Sequence, residues 1–190
     1  MTSRPDVIRR APDALAEPDW ARFCDPEAPQ APLVYRACGP VTVAQRARQP
    51  VYLATPYSLE VTGPDGRWQM DRSHRMVVLA AMEAARLARV GVTAISPIVL
   101  SGDMCHVDTG LDPLGAGFWH RWCAPVLNAC GAVVIPEIPG WWRSRGVWRE
   151  ACFALGAMMP VFIYGPVPEA GLQNRAGPPA GDAAAAISGE

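Results

Sequence analysis

Four short apolar runs, separated by segments long enough to form helices, constrain the fold of this chain most strongly. Continuous apolar runs of this kind are typical of strands that are buried on both faces of a sheet. Helices between such strands supply the right-handed crossovers that parallel strands need. The pattern therefore predicts an α/β fold with a single doubly wound parallel sheet of four to five strands, flavodoxin- or Rossmann-like. The runs are residues 51–54, 92–95, 132–135 and 161–164.

Three helices are predicted between the strands, with local signals near their ends. Ser73 or Asp71 can cap the first helix, because a short polar side chain accepts a free N–H group there. Pro125 should kink the second helix or mark a late start. Glycine and aspartate favour loops over 58–71 and 101–117. The helices are predicted over about 72–90, 118–130 and 146–159.

Proline is concentrated at the amino end of the chain. Eight of the 20 prolines lie within residues 1–50, where apolar residues show little periodicity. The other end is rich in alanine and glycine. Such compositions are typical of segments with little packed structure. We therefore predict an irregular Pro-rich N-terminal arm over 1–49, a folded domain over 50–165 and a flexible C-terminal tail over 166–190.

The overall composition favours a soluble domain that binds neither nucleic acid nor membrane. Half of the residues are apolar and the formal net charge is −1, so no electrostatic attraction to polyanions is expected. The first residues lack the apolar core of a signal peptide, and no window is apolar enough to span a bilayer. The six cysteines contain no CxxC pair. We expect reduced thiols and a cytoplasmic location.

A lone carboxylate follows the third predicted strand, close to the start of a helix. Glu150 lies about one turn into the third predicted helix, after the Gly-, Trp- and Arg-rich segment 140–146. The amino end of a helix offers unpaired N–H groups and a positive dipole, which favour an anion such as phosphate. If the strand order begins 2-1-3, the loops after the first and third strands are neighbours. This order would bring Tyr52 beside Glu150.

Three short motifs together resemble a known family. They are YLATPYS at 52–58, SPI at 96–98 and GWWRSRGVWRE at 140–150. In this order they look like a family of uncharacterised bacterial proteins that is similar to nucleoside 2′-deoxyribosyltransferases and nucleoside 5′-monophosphate N-glycosidases. The resemblance covers roughly 50–165, and it implies that this segment is a nucleoside deoxyribosyltransferase-like domain.

The resemblance implies a glutamate nucleophile. Glu150 would attack the anomeric carbon of the sugar and expel the base, and the glycosyl-enzyme intermediate would pass to water or to a second base. Tyr52 matches the tyrosine that orients this glutamate, and Tyr57 matches an aromatic residue that packs on the base. From the residues alone, Glu150 can equally be a helix-dipole partner, and both tyrosines can be packing residues.

Ser144 points to a phosphorylated substrate. The resembled deoxyribosyltransferases carry an acid at this position, whereas the monophosphate hydrolases carry a serine that binds phosphate. Gly146 N–H, Arg143 and Arg145 are candidate helpers in phosphate binding. The alternatives stay open, because Ser144 can cap the third helix and both arginines can be solvated.

Cys123 departs from the family pattern. The resembled enzymes place an aspartate here to handle the leaving base, and His120, one turn earlier, can substitute for it. Cys105 and His106 extend the pattern to a possible zinc set, but two adjacent ligands suit one metal poorly. We expect no metal and no cofactor.

The expected function is an N-glycosidase or deoxyribosyltransferase that acts on a nucleoside 5′-monophosphate or nucleoside. Two alternatives remain. One is a nucleotide-binding module without turnover, which the cysteine in place of the acid favours. The other is an NAD glycohydrolase. The resemblance also implies a homo-oligomer, at least a dimer, because the resembled enzymes assemble their sites across subunits.

Overall fold

Five parallel strands form a single sheet in the computed structural model, which describes residues 12–108 and 110–167. The strand order is β3-β2-β4-β5-β1, and every neighbouring pair is parallel. The predicted α/β fold is confirmed. Most of the predicted tail and the first residues of the predicted arm lie outside the described residues. The strands are β1 (Val34–Tyr35), β2 (Val51–Leu53), β3 (Ala94–Ile95), β4 (Ala132–Ile135) and β5 (Val161–Ile163).

Seven α-helices lie within the described residues. The helices between successive strands belong to the crossover connections that parallel strands require. Two short 3-10 turns, Ala31–Leu33 and Trp141–Arg143, complete the regular structure. The helices are α1 (Trp20–Phe23), α2 (Pro40–Arg46), α3 (Ser58–Val61), α4 (Met70–Ala88), α5 (Pro97–Val107), α6 (Ala116–Ala129) and α7 (Arg145–Gly156).

Strand β2, second from one edge, forms the switch point of the sheet. It pairs with β3 on one side and with β4 on the other, with Tyr52 opposite both Ile95 and Val133. The predicted order, in which the second and third of the four apolar runs flank the first, is confirmed. Because the chain leaves β2 and β4 toward opposite sides, a crevice opens beyond their carboxyl ends.

Alternation along the strands separates two apolar layers. In β2, Tyr52 faces the layer that contains α7 and α1, while Val51 and Leu53 face the layer that contains α2 and α4. All three residues are fully buried. Since successive side chains of a strand point to opposite faces, the phenol of Tyr52 is directed toward α7. The fold therefore aims this side chain at the helix that carries Glu150.

The N-terminal arm adds packed structure to the domain. Its strand β1 pairs with β5 at the edge of the sheet, and Trp20 of α1 is completely buried. The indole Nε1 of Trp20 donates to the carbonyl of Trp142 at 2.6 Å, and its ring lies edge-on to Trp141 and Trp148. Residues of the arm thus support the segment that leads into α7.

The predicted loop over 101–117 is wrong for its first part, because α5 extends to Val107. The side chain of Ser96 accepts the N–H of Val99 at 3.3 Å, and Pro97 occupies the first turn, where no N–H is needed. Gly102 is a packing residue of this helix. A Cβ atom at Gly102 would lie 2.2 Å from Cγ2 of Val77, so glycine allows α5 to approach α4.

Three other local predictions are corrected. The predicted loop over 58–71 contains the single turn of α3, and α4 begins at Met70 after Gln69, without a side-chain cap. Ser73 is fully buried inside α4, where it bonds to other side chains. Pro125 lies within a helix that begins at Ala116, so it does not mark a late start.

Replacing Trp20 should destabilise the whole domain. We expect Trp20→Ala to lower the free energy of unfolding by roughly 3–5 kcal/mol, because it empties a fully buried site and removes a buried hydrogen bond. The exposed Leu15→Ala is the control and should change it by less than about 0.5 kcal/mol. Urea unfolding measures both. A loss below about 1 kcal/mol for Trp20→Ala would show that the arm is dispensable for stability.

Candidate active site

A cavity of about 590 Å³ lies beyond the carboxyl ends of β2 and β4, where the sheet reverses its strand order. Its volume is in the range of small-molecule sites. Side chains from β2, α6, α7 and the turn before α7 line it together. All nine candidate site residues predicted from the sequence line this cavity. They are Tyr52, Tyr57, His120, Cys123, Arg143, Ser144, Arg145, Gly146 and Glu150.

Tyr52 and Glu150 meet in the cavity wall. The phenol O–H of Tyr52 donates to Oε1 of Glu150 at 2.5 Å, across 98 residues of sequence. This short distance is typical of a charge-assisted O–H···O bond. The other carboxylate oxygen, Oε2, accepts no hydrogen bond from the described residues. The predicted juxtaposition of the two side chains is therefore confirmed.

The surroundings of this pair change the acidity of both groups. Burial raises the pKa of Glu150 from 4.5 to about 7, although the Tyr52 hydrogen bond opposes the shift. Burial also raises the pKa of Tyr52, and the neighbouring negative charge of Glu150 raises it further. Tyr52 therefore remains a neutral hydrogen-bond donor, while the carboxyl group of Glu150 loses its proton near neutral pH. A poorly solvated carboxylate of this kind can act as a nucleophile or a base.

One face of α6 forms another part of the cavity wall. Cys123 lies near both Tyr52 and Glu150, and burial, followed by the charge of Glu150, raises its pKa to about 11. It is therefore a neutral thiol at physiological pH and a much weaker acid than aspartate. His120, one turn earlier, also lines the cavity, and its side chain is exposed.

The amino end of α7 opens into the same cavity. Ser144 is its N-cap, and Oγ accepts the N–H of Val147 at 3.3 Å. Gly146 lies in the first turn, where helical N–H groups have no carbonyl partner within the helix. Ser144 thus caps the helix and lines the cavity at the same time, so both roles considered from the sequence are compatible.

The two arginines nominated as phosphate helpers are paired within the chain. Nη2 and Nε of Arg143 bond to Oε1 of Glu60 at 2.7 and 3.2 Å, and Arg145 forms an ion pair with Glu17. Gly140 makes the first pair possible. It adopts a φ of 87°, and a Cβ atom there would lie 2.0 Å from Oε1 of Glu60. Neither arginine is therefore simply solvated.

A chain of hydrogen bonds holds the hydroxyl of Tyr57. The indole N–H of Trp68 donates to it at 3.0 Å, and the hydroxyl lies 2.7 Å from Oγ of Ser73. Ser73 in turn lies 3.1 Å from Nε2 of His106. These contacts fix the orientation of the Tyr57 ring in the cavity wall. The geometry suits a packing surface for a flat group better than a proton donor.

The sequence reasoning missed several residues of the cavity. Arg149 lines it and forms no hydrogen bond or ion pair within the described residues. Thr55 also lines it, and its buried Oγ1 has no partner in the same part of the chain. Glu17 and Asn128 line it as well. Arg149 could have been found from its spacing, because it follows Arg145 by one helical turn.

The described residues contain neither a candidate metal site nor a membrane-spanning helix. Among residues 12–108 and 110–167, no group of three or more His, Cys, Asp or Glu side chains could hold a metal ion. All six cysteines are free thiols. In the same part of the chain, no helix is both long and apolar enough to cross a membrane.

Comparison with known proteins identifies a family but not an activity. A family model described as a domain of unknown function (DUF1937) matches residues 49–166. These residues include β2 to β5 and most of the cavity wall. No curated protein and no solved structure matches the chain.

Neutralising Glu150 should stabilise the protein at alkaline pH. The folded state holds this proton up to about pH 7, whereas the unfolded state loses it near 4.5. The free energy of unfolding of the wild type therefore falls as the pH rises through this window. Glu150→Gln avoids that loss, so we expect it to gain up to about 3 kcal/mol at pH 8 and much less below pH 4.5.

Denaturant unfolding at several pH values tests this expectation. The matched control is Glu27→Gln, whose side chain is exposed and for which we expect no gain at pH 8. A Glu150→Gln variant that is less stable than the wild type at pH 8 would show that the carboxylate is well accommodated in the fold.

Proposed function

We propose that this chain, which belongs to the DUF1937 family, cleaves the N-glycosidic bond of a nucleoside 5′-monophosphate or nucleoside, as a hydrolase or a deoxyribosyltransferase. The observation that carries the proposal is the hydrogen bond from Tyr52 to Glu150 in the wall of a cavity at the switch point of the sheet. A glutamate nucleophile for this reaction has to be held in place and ionised. Glu150 is held by Tyr52 and can ionise near neutral pH, which supports the proposal.

The reaction proceeds in two steps. Glu150 attacks the anomeric carbon through Oε2, while Tyr52 holds Oε1. A carbon–oxygen bond forms, the bond to the base nitrogen breaks, and its electron pair leaves with the base. Water or a second base then attacks the same carbon and releases the carboxylate. The exposed His120, which lines the same cavity, would supply a proton to the leaving base.

A phosphate at the 5′ position fits the amino end of α7. The N–H groups of the first turn and the positive end of the helix dipole favour an anion there. Ser144 and Gly146 line the cavity at this end, and Glu150 lies one turn further along the same helix. A substrate whose phosphate binds at the helix start would therefore have its sugar near the carboxylate. Tyr57, which lines the same cavity, would pack against the base.

A nucleotide-binding module without turnover is the second candidate. The neutral thiol of Cys123 occupies the position that the resembled enzymes give to an acid, and this favours binding without efficient base release. Nucleotides that raise the melting temperature without forming product would support this candidate. The homo-oligomer implied by the resemblance also stays a prediction, which light scattering can test.

Release of free base tests the proposed activity directly. We expect chromatography to detect base from at least one member of a panel of nucleoside 5′-monophosphates, nucleosides and NAD. Glu150→Ala should lower the rate by on the order of 10³-fold or more, because the nucleophile is lost. Tyr52→Phe should lower kcat/KM by about 10- to 100-fold, the effect of one hydrogen bond to a charged group.

Tyr35→Phe is the matched control for the tyrosine variant. Tyr35 stacks on Phe162 in the other apolar layer, away from the cavity, so its activity should equal that of the wild type. Absence of base release from the whole panel would exclude the proposed activity. Nicotinamide release from NAD alone would assign an NAD glycohydrolase.

The rate should depend on the ionisation of Glu150. The nucleophile must be deprotonated and its pKa is about 7, so kcat/KM should rise with pH and level off above about pH 7. A pH profile of the released base measures this dependence. A profile that is already flat at pH 5.5 would exclude Glu150 as the titrating group.

A further inference from the structure

Three arginines line the cavity around the amino end of α7, but their electrostatic situations differ. Arg143 and Arg145 are each paired with a carboxylate of the same chain, from Glu60 and Glu17 respectively. Arg149 has no hydrogen bond or ion pair within the described residues, although it lines the same cavity. The charge that remains uncompensated at this end of the cavity is therefore that of Arg149.

Arg143 is poorly available to a ligand. Its guanidinium bonds to Oε1 of Glu60 through both Nη2 and Nε, and the Glu60 side chain is only 18% exposed. Withdrawing the arginine would leave a largely buried carboxylate without its partner, which is unfavourable. Gly140 leaves room for this carboxylate beside the turn. Arg143 is therefore expected to stay paired with Glu60.

Arg145 is held more weakly. Its side chain and that of Glu17 are 66% and 72% exposed, so water and salt screen the pair. Glu17 nevertheless places a negative charge at the edge of the cavity, beside the start of α7. An anionic ligand that approaches Arg145 has to compete with this carboxylate. Arg145 can assist binding, but it does not provide an unopposed positive charge.

Arg149 is well placed to reach the start of α7. It lies three residues after Gly146 and four after Arg145, so the three residues share one face of the helix. Long side chains on a helix lean toward its amino end, so the guanidinium of Arg149 can reach back to the first turn. There it can bond to an anion that also accepts the N–H groups of the turn.

We infer that Arg149 is the residue that binds the anionic group of the ligand, a phosphate monoester, and that Glu17 lowers the contribution of Arg145 by pairing with it. The inference rests on the proposed function for the identity of the ligand. A phosphate monoester has enough acceptor oxygens to engage a planar guanidinium and helical N–H groups together. The matching nucleoside lacks this group and gains nothing from Arg149.

Binding measurements separate this inference from catalysis. On the Glu150→Gln background, which preserves the ligand, calorimetry compares each of the common 2′-deoxynucleoside 5′-monophosphates with its matching nucleoside. We expect Arg149→Ala to weaken monophosphate binding by about 10- to 100-fold and nucleoside binding by less than about 2-fold. Arg149→Lys should recover part of the loss, because it keeps the charge without the planar fork.

Other charge variants serve as comparisons. Arg143→Ala and Arg145→Ala should each weaken monophosphate binding by less than about 3-fold, because both charges are already compensated. Glu17→Gln should strengthen it by about 2- to 5-fold, because it releases Arg145. Arg121→Ala is the matched control, since Arg121 is exposed on α6 and does not line the cavity. Unfolding curves confirm that every variant is folded.

The outcomes distinguish failure of the inference from failure of the proposed function. Arg149-dependent binding of monophosphates without any base release by the wild type would support the inference and contradict the proposed catalysis. Base release combined with an unchanged monophosphate preference in Arg149→Ala would overturn the inference alone. Failure of every nucleotide to bind would overturn both.

Discussion

The hydrogen bond between Tyr52 and Glu150 is the interaction on which the candidate site depends. It joins β2 to the helix that follows the neighbouring strand β4, so it depends on the reversal of the strand order at β2. The phenol is completely buried and remains protonated, and it holds a carboxylate whose pKa burial has raised. Such an arrangement lowers stability when the carboxylate is charged, and destabilising groups of this kind are concentrated at functional sites.

Much of the fold could be predicted because its strands are short, continuous apolar runs. Their alternation with helices fixes a parallel sheet, and side-chain alternation along β2 directs Tyr52 toward α7. Helix α5 was missed because Gly102, a contact residue against α4, is also typical of loops. The packing of Trp20 was missed as well. Its partners lie more than a hundred residues away, and no local pattern records them.

The candidate site could be predicted where one residue type at one position carries the chemistry. Glu150 and Tyr52 are of this kind, since a motif and the topology together bring them to one place. Charge pairing could not be predicted in this way. Arg143, Arg145 and Arg149 lie close together in the sequence, and they differ in whether a carboxylate from elsewhere in the chain pairs with them. The carboxylates come from separate segments, and only the folded chain brings them to the arginines. Ser73 likewise changes from an expected helix cap to a buried link between Tyr57 and His106.

Residues 12–48 lie outside the region that the family model matches, yet they form part of the domain. They bring an indole under the carbonyl of Trp142 and a carboxylate to the edge of the cavity. Without this segment, the faces of Trp141 and Trp148 that Trp20 covers would be exposed to water. Because the segment also supplies Glu17, changes within it can alter ligand preference while the Tyr52–Glu150 pair stays unchanged.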